Sequence, residues 1–137
     1  MVVGEKLWEG KGKYPAGGLA IKAVGPGGVT MEGTLAIQLK GVGRAKGIDG
    51  TLTFTNTILM EPSGAGWSHG LGMFNTMTGD MAVVKSSGIG KAGKTVSLSS
   101  FMTMSPKLAW MNDLVALVTQ EGDPQWMEFD IAVHEWK

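Results

Sequence analysis

Two stretches of the chain carry residues whose types and spacing can do chemistry. Gly88-Ile89-Gly90-Lys91-Ala92-Gly93-Lys94-Thr95 satisfies the G-x-x-x-x-G-K-[ST] pattern in full, and its first six residues also satisfy G-x-G-x-x-G. In a nucleotide-binding loop, backbone amides cradle phosphate oxygens while the Lys and Thr meet phosphate and magnesium. That chemistry needs a helix directly after the loop, because its N-terminal amides and dipole hold the anion. Here Val96-Ser97-Leu98-Ser99-Ser100-Phe101 follows, which alternates like a strand and is built from poor helix formers. The segment is therefore read as a basic, glycine-rich hairpin loop, and no cofactor is expected.

The second stretch is Gly66 to Asn75, where alternation places Trp67, His69, Leu71, Met73 and Asn75 on one face. His69 then stands among large apolar neighbours, where an imidazole can act as general acid or base, and it is the candidate catalytic residue. A core histidine held by a hydrogen bond or two, or one facing water at a barrel mouth, fits the same pattern. Asn56 interrupts the apolar face of Leu52, Phe54, Ile58 and Met60 in a similar way. An interior amide requires a hydrogen-bonding partner or a polar ligand. The expected binding site has Phe54, Trp67, Met73 and Trp110 as apolar walls and His69, Asn56 and Asn75 as orienting groups, the usual makeup of a small-molecule cavity. The competing arrangement is a packed interior with a buried polar network.

Other polar groups point to less. Glu128, Asp130 and His134 share one face of the last segment, but the chain has only two histidines and no evident converging ligands. They are read as a solvated face, and no metal is expected. Asp80 follows Gly79 at a turn, where Asp is usually structural. Ser63, Ser68, Ser97, Ser99 and Ser100 lack an elbow motif or a triad, so acyl transfer has no support.

The elements that must position these residues are strands. Thr51 to Ile58 alternates strictly, Leu35, Ile37 and Leu39 share a face, and so do Val96, Leu98, Met102 and Met104. From Gln125 to Trp136, Met127, Phe129, Ile131 and Val133 oppose Trp126, Glu128, Asp130, His134 and Trp136. Less regular strands are predicted at Lys6–Tyr14, Leu19–Val24, Gly66–Phe74, Met81–Lys85 and Leu114–Thr119. Pro26-Gly27-Gly28, Pro62-Ser63-Gly64 and Glu121-Gly122-Asp123-Pro124 are turn signals between them. Only Ser105 to Asn112 reads as helical, with Ser105 as N-cap and Pro106 in first position. A faint echo, Phe74-x-Thr76-Met77-Thr78 against Phe101-x-Thr103-Met104-Ser105, recurs 27 residues on.

Composition bounds the rest. The 137 residues suit a single domain spanning 1–137, with one core. Hydrophobic residues at 43% and charged residues at 18% are enough to fold and too uncharged for disorder. The 12 basic and 12 acidic residues balance and are interspersed, unlike the footprint of a nucleic-acid binder. There is no cysteine, which removes disulfides and thiolate chemistry. No apolar run nears the ~20 residues that span a bilayer, and Met1 to Lys6 has no leader-like pattern, so no membrane association and a cytoplasmic location are expected. The 22 glycines, against roughly 10 at average usage, call for many turns, bulges and bent strands.

These observations predict an all-β fold, a single antiparallel barrel of eight or nine strands with one short helical turn. Gly50-Thr51-Leu52-Thr53-Phe54-Thr55, followed by Gly70-Leu71-Gly72-Met73-Phe74 and Gly79-Asp80, resembles the small barrels related to allene oxide cyclase and the lipocalin-like group. The resemblance covers most of the chain as a pattern of strands and hairpins. It implies an uncharacterised calycin-like barrel that holds an apolar ligand, with cyclase activity and homo-oligomers known in such barrels, and it carries over no catalytic residue. Three functions stand: binding of a small apolar ligand, an isomerase or cyclase using His69 or a carboxylate as general acid or base in the same pocket, or an assembly protein joined through Trp126, Trp136 and its methionines.

Overall fold

The computed structural model describes residues 2–15, 17–122 and 128–137. Nine strands run in chain order: β1 Val3–Lys13, β2 Leu19–Gly25, β3 Gly28–Gly41, β4 Gly50–Met60, β5 Gly66–Thr76, β6 Met81–Lys91, β7 Lys94–Met102, β8 Val115–Gly122 and β9 Glu128–Trp136. Trp126 and Met127, expected on the last strand, lie outside the described residues, as do Asp123 and Pro124 of the expected turn.

Every neighbour is antiparallel, and from β3 to β9 each strand pairs with the next. Closure depends on β1, which pairs with β9 on one side and with β3 on the other, from Trp8↔Gly41 to Lys13↔Ala36. Eight strands thus form a closed barrel. The long β3 continues past this pairing, and its first half takes β2 as an extra strand, from Leu19↔Gly33 to Gly25↔Gly28. Closing the ring satisfies the backbone groups that an open sheet edge would expose.

Ala92 and Gly93, both at positive φ (53° and 80°), form the two-residue connection between β6 and β7. Paired left-handed residues give the tight turn whose twist matches the flanking strands. The apparent nucleotide-binding motif is therefore a hairpin, with strand on both sides and no helix after it.

One end of the barrel is closed. The 3-10 helix Pro106–Asp113 drops Leu108 and Met111 into it, both buried. Trp8 is the hub of this base: its ring stacks on Trp110 at 5.9 Å and 7°, meets Phe74 edge-on, and its Nε1 donates to the Ile48 carbonyl at 2.9 Å. The Arg44 guanidinium lies over the Trp110 ring at 4.6 Å and pairs with Glu135 at 3.4 Å. The two copies of the sequence echo lie together here. Asp80 accepts from Ser105 Oγ at 2.6 Å and from Thr78 Oγ1 at 2.9 Å, and Thr103 Oγ1 donates to the Met81 carbonyl at 2.6 Å. The Ser105 hydroxyl, then that of Thr78, with Lys107 nearby, holds the Asp80 carboxyl below its usual range. Ser105 precedes the helix as expected, but its hydroxyl ties down the β5–β6 turn and does not cap the helix.

Among the described residues, no helix is long and apolar enough to cross a membrane.

Candidate functional site

The inward positions divide the barrel wall into two kinds. On β3, β4 and β9 they are Leu35, Ile37, Leu39, Leu52, Phe54, Phe129, Ile131 and Val133, large and apolar. On β5, β6 and β7 they include Ser68, Gly70, Gly72, Ser86, Gly88, Gly90, Thr95, Ser97 and Ser99, alternating with outward residues. Phe54 sits opposite Gly72 in the register and leans over that small-residue wall. A Cβ added at Gly70 or Gly72 would come within 2.7 Å of its ring. The glycines are thus where an aromatic side chain from the next strand lies flat on the sheet.

Because one wall is small, the half of the barrel away from the base is hollow. The space has a volume of about 390 Å³. Leu35, Ile37, Phe54, Ile58 and Met60 give it apolar sides, and Gly90 to Gly93 of the β6–β7 hairpin borders its opening. Its polar groups are Tyr14, Asn56, Ser68, Thr95 and Gln120, with Lys91 on the hairpin at the opening. A narrower space of about 50 Å³ continues toward the base, between Phe54, Phe74 and the hydroxyls of Ser86, Ser97 and Ser99. There Ser99 Oγ donates to Ser86 Oγ at 2.9 Å.

Tyr14 is the polar centre of the opening. It leaves the end of β1 just before Pro15, turns inward and is 5% exposed. Its hydroxyl oxygen accepts a hydrogen bond from Asn56 Nδ2 at 3.4 Å. Burial raises the phenol's pKa, partly offset by the Asn56 bond, so the group is protonated throughout the neutral range and its O–H can donate.

The expected site residues separate into three places. Phe54 and Asn56 line the hollow. Trp110 belongs to the closed base, in contact with Trp8 and Arg44, so it is a packing residue and not a cavity wall. Trp67, His69, Met73 and Asn75 do share a face, but it is the outer one. The physical reason is the Phe54 ring, which lies where a Cβ at Gly70 or Gly72 would be, so this stretch of the strand turns its bulky residues outward until Phe74 at the base. His69 therefore cannot serve the hollow as acid or base. The same inversion holds on β7, where Val96, Leu98 and Met102 face out and Ser97 and Ser99 are buried. On β9, Asp130 pairs with Lys11 at 3.2 Å on the outer surface, Glu128 is exposed and His134 is half-buried.

Tyr14, Ser68, Thr95 and Gln120 were missed by sequence reasoning. A signal existed in the alternating Gly, Ser and Thr of β5 to β7, since a strand face made only of small residues marks a wall that leaves space. Tyr14, the chain's single tyrosine, carries no periodic signal, because it lies in the connection after β1.

This architecture defines an eight-stranded antiparallel β-barrel protein with one end plugged and the other open. No protein-family model matches the chain. No curated protein matches it in sequence. Solved structures do match in fold. A protein of unknown function from Clostridium acetobutylicum aligns over 100% of both chains with a TM-score of 0.81 at 11% identity. A β-barrel-like protein from Acinetobacter baumannii aligns over 99% of this chain and 96% of its own, with a TM-score of 0.80 at 14% identity. An enzyme from Penicillium herquei aligns over 96% and 92%, with a TM-score of 0.71 at 20% identity. At these identities the likeness is one of fold.

Proposed function

We propose that the protein binds a small, largely apolar molecule bearing one polar group, held in the open half of the barrel. The observation that carries this reading is the 390 Å³ hollow itself, which falls within the ~300–1,000 Å³ of typical small-molecule sites. Its apolar sides favour a hydrocarbon or ring system over water, while Tyr14 and Asn56 offer a donor and an amide to a single oxygen-bearing group. The likeness to ligand-holding barrels of the allene oxide cyclase and lipocalin-like groups supports the same reading by analogy of fold. A cytoplasmic location accords with the lack of cysteine.

A cyclase or isomerase reading now rests on Tyr14 in place of His69. The phenol faces the hollow, is hydrogen-bonded to Asn56 and holds its proton at neutral pH, which suits a general acid.

The test is a panel of medium-chain fatty acids, the matching alcohols and terpenoid alcohols, scored by native mass spectrometry and by thermal shift. One-to-one complexes that raise Tm are expected, and they should vanish in Ser68→Leu, which fills the hollow from its small-residue wall. If no compound binds the wild type, or if Ser68→Leu binds as well as the wild type does, the interior is not the site.

A further inference from the structure

The wall of β5, β6 and β7 is patterned in reverse of an ordinary sheet in water. Beyond Phe74, Ala82, Val84 and Phe101 near the base, its inward side is Gly, Ser and Thr, whereas its outward side carries Trp67, Leu71, Ile89, Val96, Leu98 and Met102, each between 39% and 65% exposed. In the register they fall in two apolar rows, with two mixed rows between them in which Leu98 stands with His69 and Ser87, and Leu71 with Lys85 and Ser100. Trp67 lies beside Ile89 and Ile89 beside Val96, Leu98 lies beside Leu117 across β8, and Val83 joins Met73 to Met102. The opposite side of the barrel follows the usual rule. Outward positions of β3 and β4 include threonines and an amide joined to one another, Thr34 with Thr55 at 2.9 Å and Thr51 with Gln38 at 3.0 Å.

From their exposed fractions, the six apolar side chains alone offer on the order of 650 Å², most of the ~800 Å² that each partner gives to a standard interface. A monomer rarely shows a contiguous apolar patch above a few hundred Å² unless something covers it. We infer that this wall is the contact face between two copies of the chain, packed barrel side to barrel side.

A flat sheet face suits another flat sheet face, and a closed barrel offers an added strand no free edge along β5 to β7. A two-fold pair uses the same patch twice, the commonest solution among soluble oligomers. Lys85 lies between Leu71 and Ser100 in the register, and His69 lies beside Ser87. Between two protein walls these groups can meet the serine hydroxyls of the other copy, whereas a bilayer would have to take an ammonium into hydrocarbon. The chain's zero net charge likewise supplies no basic excess for an anionic membrane surface.

Sedimentation equilibrium of the wild-type chain across the micromolar range is expected to show a monomer–dimer equilibrium. Leu71→Glu and Leu98→Glu should each weaken it by about a hundredfold or more, while Ala36→Glu on the threonine-rich side should leave it unchanged. The chain has no cysteine, so a single Ser87→Cys gives an independent readout that leaves the apolar residues in place. A short bismaleimide should join two copies of Ser87→Cys and fail to join Gln38→Cys. A wild type that stays monomeric, a dimer that survives both Glu substitutions, cross-linking at Gln38→Cys alone, or recruitment of the wild type to neutral or anionic vesicles as a monomer would each overturn the inference.

Discussion

Asn56 Nδ2 donates to the Tyr14 hydroxyl at 3.4 Å, joining the middle of β4 to the end of β1 across the opening of the barrel. The two residues are 42 positions apart, and the contact exists because β3 carries β1 on one edge and β4 on the other. It sets one polar point in a largely apolar hollow.

Tyr14→Phe removes this bond and should cost about 1 kcal/mol at neutral pH. Because burial raises the folded-state pKa, the native chain holds the phenolic proton more tightly than the unfolded chain. The associated stability is complete below about pH 10, the ordinary tyrosine value, and is lost as pH climbs through the folded pKa. Urea unfolding between neutral pH and the strongly alkaline range should show a decline for the wild type that is shallower in Tyr14→Phe.

Asp80 behaves in the opposite sense. Hydrogen bonds from Ser105 and Thr78 lower its pKa, so its contribution is present above the unfolded value near 3.9 and is lost as pH falls through the folded pKa. Acid unfolding followed by circular dichroism should begin less steeply in Asp80→Asn than in the wild type, and Ser105→Ala should move the curve the same way.

Ala92 occupies a left-handed conformation that a Cβ disfavours by roughly 1–2 kcal/mol. Ala92→Asn or Ala92→Gly should therefore stabilise the hairpin by about 0.5–1 kcal/mol, read as a higher urea midpoint at an unchanged slope. Lys94 on the same hairpin pairs with Glu121 at 3.8 Å with both side chains largely exposed. Lys94→Ala should change stability by less than ~0.5 kcal/mol. Neither the wild type nor this variant should show a calorimetric signal with ATP and magnesium.

Trp110→Ala removes the stack on Trp8 and the seat of Arg44. A loss of about 2–4 kcal/mol is expected. Any ligand bound in the hollow should keep its affinity in this variant, since Trp110 belongs to the base, whereas Asn56→Ala should weaken it.

Much of the fold was legible because closure of a barrel leaves marks at every level. The alternation of Thr51 to Ile58 placed Leu52, Phe54, Asn56 and Ile58 inward, as they are, and strand context stripped Gly88 to Thr95 of its nucleotide-binding meaning. Period two fixes which residues share a face, but not which face is inside. For β5 and β7, choosing the larger side chains as the inner set reversed the outcome for Trp67, His69, Met73 and Asn75. Phe54 from the next strand lies over Gly70 and Gly72 of β5, and that long-range fact has no local signature. Tyr14 escaped for a related reason, since its value depends on where β1 ends relative to β4.

The aromatic base and the glycine-lined opening give the barrel two mechanical halves. Trp8, Phe74, Leu108 and Met111 are packed with almost no access to solvent, while the opening is bordered by a two-residue turn and by small side chains. Anything that enters would meet a rim of small side chains and a packed aromatic floor. Recognition would then be tuned by loop and hairpin substitutions without disturbing the part that keeps the chain folded, so the scaffold can change its guest while keeping its foundation.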